Sequence, residues 1–372
     1  MLRYFPTLKG EYMEYNWYHT YIKQKYHELR KLQKIQDSLE IRKAIASIEA
    51  ELLPEPRVKK QKTREIFLNE YQEFKKAKFL WDDLTTFTEL SQTPITFDPQ
   101  SLITNFSDEE LFTLSHDFYK NATTEELFAQ FMHFFKQRNR NVHFFRNSKL
   151  DFYANVFYLP YYHELFMHLK PRGEFGDVAV LNHEYGHGIH FLNNFHGNFY
   201  GKNIFFIEII STFFEYLTLL YYSQNGNYQY AALNSLIDTF EERKGYAENI
   251  KTFISYIDYM GLEGCGNKLE ELKVIDNYLS YYGNTNIEEL YTEGKISEDI
   301  LYVFATIIVC ELLNIYLDDP PKAFFLLNQL MNINPALSPE EYYEEILNLG
   351  IYPNNSVLNF NDHLKRELTR FK

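Results

Sequence analysis

Cysteine and tryptophan are scarce in this chain, with two of each among 372 residues. Cys265 and Cys310 form no metal-ligand pair by spacing and are too few for a disulfide framework. A reducing compartment is the expectation. Positive charge is also in short supply. Lys and Arg number 37 against 51 Asp and Glu, for a net charge of −14, which excludes the clustered cations that phosphate contacts need. The chain lacks a long apolar run as well. The longest, Ile300 to Cys310, is too short to span a bilayer and predicts a buried helix. Residues 1–18 mix Arg3, Lys9, Glu11 and Glu14 among aromatics without an apolar stretch, so no secretory signal is expected. A cytoplasmic protein with no nucleic-acid or membrane partner follows as the expectation.

Hydrophobic residues make up 45% of the chain, ample for a large core. The 31 Tyr and 33 Phe are read as core material, not as a binding surface. Most of the sequence predicts helix. Over 21–52, Ile22, Tyr26, Leu29, Leu32, Ile35 and Leu39 recur at helical spacing. Pro54 and Pro56 break the pattern, and it resumes over 65–81. Residues 82–105 read as an irregular connection. Ser107 with Glu110, and Thr123 with Glu126, have the spacing of capping boxes. The cationic stretch Arg138 to Arg146 reads as a helix end or loop. Residues 150–159 are the best strand candidate, able in principle to pair with an extended peptide. Pro171 to Gly176 reads as a turn, with Asp177 as N-cap of the helix after it. Ser338, Pro339 and Glu341 announce a late helix, and Gly350 its end. The expected organisation is an N-terminal helical lobe over 1–106 and a catalytic domain over 107–372.

The chemistry sits in residues 177–190, DVAVLNHEYGHGIH. His183 and His187 are four apart, on one face of a helix, so both imidazoles can reach one ion. Glu184 can then approach an activated water without being a ligand. Two stray histidines on a surface helix are the bland alternative. Val178, Val180, Leu181, Ile189, Phe191 and Leu192 argue against it, because they make this helix core, and core histidines need partners. A hydrolytic zinc site uses three protein ligands and keeps one position open. Downstream, FFIEIISTFFEYLTLLYY over 205–222 is apolar almost all round yet carries Glu208 and Glu215, seven apart on one face. Buried carboxylates need compensating charge. Glu208 is taken as the third ligand of one zinc ion. Glu215, two turns on, is placed to hydrogen-bond a ligand histidine from behind. Pairing of both acids with Lys or Arg is the structural alternative. His190 is read as a satisfied core histidine or one supporting the ligands, and His196 as a minor ligand candidate.

These motifs resemble the oligoendopeptidase F and thimet oligopeptidase family of zinc metallopeptidases. The matching pieces are DV-x-x-L-x-HE-x-GH-x-x-H at 177–190, E-x-x-ST-x-x-E at 208–215, YVFAT at 302–306 and SPEE…LGI over 338–351. The first two are specific. The resemblance implies zinc on His183, His187 and Glu208, with Glu184 as base and Glu215 behind the ligands; Asp177, like His190, is expected to support the ligands. It implies a mainly helical zincin fold with a small β-sheet beside the active-site cleft. It also implies a tyrosine that stabilises the oxyanion, for which Tyr302 is the candidate. The chain departs from the family in several places. Only about 110 residues are available for an N-terminal lobe that is large in the family. Phe304 stands where a second hydroxyl is expected. Residues 291–300 lack a histidine, and no glycine-rich segment precedes the HExGH helix.

The function expected is hydrolysis of internal bonds in oligopeptides. A metallo-carboxypeptidase could use the same residues, and a C-terminally amidated peptide separates the two. A non-catalytic peptide binder on this scaffold is the other alternative; retention of Glu184 speaks against it.

Overall fold

A computed structural model describes residues 12–38, 41, 42, 44, 45, 48, 80–90, 104–146, 153–159, 161–194, 206–264, 295–334 and 337–371. The expectations for 53–64, for 65–79, for the loop at 195–203, and for His196 and Cys265 lie outside them. By internal packing the chain falls into two units, 1–58 with 103–200, and 59–102 with 201–372.

The first unit begins with α1 (Tyr12–Gln33). The periodic run expected to continue to residue 52 is interrupted at 34–38. Ile35, which fits the apolar spacing, is 85% exposed. The break is built from local polar bonds. Arg42 forks onto the two carboxylate oxygens of Asp37 at 2.9 and 2.6 Å, and Ser38 Oγ accepts from the Ile41 N–H, a cap that restarts helical backbone.

α3 (Asp108–Ala122) opens with the expected capping box of Ser107 and Glu110. α4 (Glu125–Phe135) does not use Thr123. Thr124 caps it by accepting from the Leu127 N–H, while Thr123 bonds back to the Tyr119 carbonyl. Between α3 in sequence and α1 lies α2 (Trp81–Glu89), which belongs to the second unit. The cationic stretch becomes one turn of helix, α5 (Arg138–Asn141), and then a strand, β1 (Val142–Phe144).

The expected strand is β2 (Ala154–Leu159), which pairs antiparallel with β3 (Glu164–Leu169). β1 pairs parallel with β3, giving the order β1-β3-β2. Every residue of β3 is buried, because both faces of the central strand are covered. Phe166 packs with Ile22, Leu29 and the Ile41–Ile48 segment. Glu164, on that same face, receives the Tyr21 hydroxyl at 2.7 Å and Arg140 at 2.7 Å. Leu165 faces the other way, toward the helix α6 (Gly176–Asn194).

The second unit is all helix among the described residues: α2, α7 (Ile209–Gln224), α8 (Gln229–Gly264), α9 (Lys295–Asp318), α10 (Pro320–Met331), α11 (Pro339–Asn348) and α12 (Ser356–Thr369). α9 is its centre, packed by α7, α8, α10 and α12. Residues Asp299–Asp318 are long and apolar enough to cross a membrane by length and composition, but 67% of that window is buried. The segment therefore serves as the core helix of this unit. Buried Ser356 donates to the Ile307 carbonyl at 2.9 Å, tying α12 to it. Cys310 is buried and unpaired. α11 carries the expected cap of Ser338, Pro339 and Glu341. It ends in a Schellman turn: Gly350 has φ +85°, its N–H bonds to the Leu347 carbonyl, and the Ile351 N–H reaches back to Ile346.

α2 occupies the start of the stretch 82–105 that was expected to be an irregular connection, of which 91–103 lie outside the described residues. Leu80, Leu84 and Phe87 form its buried stripe, and Phe87 meets Phe240 of α8 at 5.0 Å. Asp83 lies in the same buried face at 6% exposure. Burial, with Asp82 and Glu311 adding repulsion, pushes its pKa up to about 6. A folded-state pKa above the ordinary carboxylate value means that the ionised form is disfavoured by folding. The fold therefore loses stability as pH rises through about 6, and the penalty is absent below the unfolded pKa. Asp83→Asn is expected to stabilise the chain by about 1–2 kcal/mol at about pH 8, after allowance for solvent screening. The gain should fade below about pH 4. Urea unfolding at the two pH values tests this, and equal gains at both would remove the charge as its cause.

Candidate metal centre

α6 carries the paired histidines. It is buried nearly all round, so its seating on its neighbours decides where the imidazoles point. One side packs on aromatic side chains of α3 and α4. Tyr185 lies 4.8 Å edge-on from Phe131, and the Tyr119 hydroxyl donates to the Asn182 carbonyl at 3.1 Å. Burial drives the Tyr185 hydroxyl well above its ordinary pKa, so it stays neutral. Gly188 faces the sheet. A methyl group there would collide with Leu165 of β3 and sit 3.1 Å from Phe134 of α4. A Cβ there would push Leu165 aside, so the glycine lets helix and strand come into close contact.

The turn before α6 is fixed by Asp177. It lies inside the first helical turn and is not the N-cap. Its carboxylate accepts the N–H groups of Arg172 and Gly173, both at 2.8 Å, and the Tyr153 hydroxyl at 2.9 Å. Gly173 needs its φ of +85° for that turn. Asp177 thus holds the entry to the helix, where its negative charge also suits the helix N-terminus.

His183 and His187 are both buried, at 6% and 7% exposure. Their rings are 4.9 Å apart and close to perpendicular. Phe191, one turn further on, stacks on His187 at 5.9 Å. Glu184, between the histidines in sequence, is 6% exposed. His190 is buried as well.

Glu208 stands at the N-cap position of α7 and is partly exposed. Buried Ser211, one turn in, donates its hydroxyl to the Glu208 carbonyl at 3.0 Å and to its Oε2 at 3.2 Å. This fixes the carboxylate from below. His183, His187 and Glu208 each offer a ligand atom, and these atoms all lie within 4.8 Å of one another. Two imidazoles and one carboxylate are a donor set that binds a divalent metal and leaves a position open. The group can hold one ion.

The other expected residues fall into a second constellation. Glu215 is buried at 5% and lies 3.8 Å from Arg243 of α8, itself 7% exposed. Arg243 also lies 4.2 Å from the centroid of the Tyr302 ring on α9. Burial opposes the guanidinium's charge, but Glu215 and Glu242 outweigh it, and its pKa is raised. Arg243 escaped the sequence reading, although a signal was present. Leu236, Phe240, Arg243, Ala247 and Ile250 recur at four, three, four and three, and all are buried. A cation on an apolar helical stripe needs a partner within the core.

Sequence comparison finds no matching family model and no matching curated protein. Solved structures do match. A protein assigned as a peptidase from Chlamydophila abortus aligns with a TM-score of 0.54 at 16% identity, over 96% of this chain and 62% of its own. A protein assigned as an oligoendopeptidase F from Bacillus anthracis str. Ames aligns with a TM-score of 0.50 at 17% identity, over 95% and 62%. Pz peptidase A, solved with an inhibitor, gives 0.51 at 14% identity, over 94% and 67%. This chain spans about three fifths of the length of the first two. At these identities the likeness is one of fold: a mainly helical chain with a small three-stranded sheet, built as these peptidases are.

Proposed function

We propose that this chain is a short member of the oligoendopeptidase F and thimet oligopeptidase family, a zinc-dependent peptidase that cuts internal bonds of oligopeptides. The observation that carries the reading is the convergence of His183, His187 and Glu208 on one another, with Glu184 buried beside them in sequence. A purely structural ion would not require Glu184. The likeness of fold to peptidases supports the same reading.

In this proposal His183, His187 and Glu208 hold the zinc, and Ser211 orients Glu208. When bound, the ion lowers the pKa of its water and polarises the scissile carbonyl. Glu184 is the general base: its carboxylate accepts a proton from the attacking water and passes it to the leaving amine nitrogen. The Tyr302 hydroxyl donates to the developing oxyanion. Asp177 fixes the start of the ligand helix, and Glu215 supports the ligands through its charge. The substrate is an extended peptide, for which β2 offers an edge strand. A cytoplasmic location fits the scarcity of cysteine.

The test is digestion of a mixed library of end-blocked peptides, read by mass spectrometry, with zinc measured on the same preparation. Internal cleavage that stops with a chelator and returns with zinc is expected. A protein that holds zinc and cuts only peptides with free C-termini would be a carboxypeptidase. One that holds zinc and cuts nothing would be a binder.

A further inference from the structure

A buried arginine is held in place by what it touches, and Arg243 touches groups of two kinds. Glu215 of α7 lies 3.8 Å from its Nη2, and Glu242 lies 3.5 Å from its Nη1 on the outer side. The guanidinium also lies against two rings, Tyr302 of α9 at 4.2 Å and Tyr246 of α8 at 5.2 Å. Tyr246 is itself fixed, since its hydroxyl donates to Glu242 at 2.9 Å. The buried Arg243 Nε has no hydrogen-bond partner. The guanidinium is thus placed by charge and by ring faces, not by a full set of hydrogen bonds. A planar cation against an aromatic face is most strongly attracted where water is excluded, and Arg243 is 7% exposed. Arginine provides this contact in a way that lysine does not, because its charge is spread over a plane.

From this arrangement we infer that Arg243 is a positioning residue, one that fixes the orientation of the Tyr302 phenol and ties it to the Glu215 carboxylate. The inference rests on the peptidase reading for the use made of Tyr302, but not for the contact itself. Tyr302 is only partly buried. Its ring has one face against Arg243 and so cannot sample its rotamers freely. The same cation places a compensating charge 3.8 Å from the buried Glu215 carboxylate. One side chain therefore serves both the carboxylate behind the ligands and the proposed hydrogen-bond donor. A loss at Arg243 should reach the reaction through Tyr302, and it should alter turnover more than substrate affinity.

The experiment combines kinetics with a probe that does not depend on turnover. Arg243→Lys, Arg243→Met and Tyr302→Phe are compared singly and in pairs on the zinc-loaded chain, and 3-fluorotyrosine is placed at position 302 for 19F spectra. Arg243→Met should lower kcat about 10–100-fold with KM changed less than about threefold. Arg243→Lys should recover only part of that loss. In a Tyr302→Phe background neither substitution should cost more than about twofold. The fluorine resonance, single and narrow with Arg243 in place, should shift and broaden in both variants. Multiplicative losses in the double variants would overturn the inference, and so would a Tyr302→Phe enzyme as fast as the parent. Should Arg243→Met fail to fold, Arg243→Lys carries the comparison. A parent chain that cuts no peptide would defeat the peptidase reading; the 19F spectra then decide the positioning alone, and a resonance indifferent to Arg243→Lys would overturn it.

Discussion

Replacing Glu184 with glutamine should lower kcat/KM for an internal peptide bond about 10²–10⁴-fold, the usual contribution of a positioned general base, while zinc stays at the parent level. Glutamine keeps the size of the side chain and its place on α6, where Glu184 is 6% exposed, but it cannot accept the water's proton. The two histidines proposed as ligands are separate side chains, so the metal should remain. Steady-state kinetics and zinc analysis of one preparation check both halves. Activity within tenfold of the parent would assign the base elsewhere. Loss of metal together with activity would make Glu184 part of the ion's binding and not of the chemistry.

Glu208→Ala carries the second large effect, and it reverses the pattern. Loss of an outer hydrogen-bonding partner of a metal ligand typically costs 10–100-fold in affinity, so loss of a ligand should exceed about 100-fold in a chelator competition. Stability gives an independent readout, because an ion that binds the folded chain alone stabilises it by about 4 kcal/mol at a thousand times its Kd. The parent should therefore melt higher with added zinc, and Glu208→Ala should not. A zinc-dependent shift that survives the substitution would remove Glu208 from the ligand set. Ser211, which donates to Glu208 Oε2, would then lose its assigned purpose as well.

What was legible in the sequence followed from strong periodic signals. The buried helix around HExGH announced itself through its apolar neighbours, and α11 through its cap and terminal glycine. What was not legible involved competing signals. Ile35 satisfied the helical period yet is 85% exposed, because α1 stops at Gln33 and helical backbone restarts only after the Asp37–Arg42 pair and the Ser38 cap. α2 was hidden by Asp82, Asp83, Thr85 and Thr86, polar residues around a narrow buried stripe. β3 is buried on both faces, so it shows none of the alternation that marks a half-exposed strand, and β1 is only three residues long. Glu215 is a buried acid, as its apolar neighbours predict, and pairing with an arginine was the alternative to a ligand histidine. The compensating charge at Arg243 lies on another helix, where only a tertiary structure could pair them.

Gly188 gives the metal helix a thermodynamic property. With no side chain at position 188, Leu165 and Phe134 close directly over the backbone of α6, which is buried on nearly every side. The backbone entropy of ordering His183 and His187 is therefore lost when the chain folds, about 1–2 kcal/mol per fixed residue, and not when the ion arrives. Capture of the proposed ion would then start from two imidazoles whose backbones are already at rest and from a Glu208 carboxylate already held by Ser211, leaving mainly side-chain rotation to be ordered.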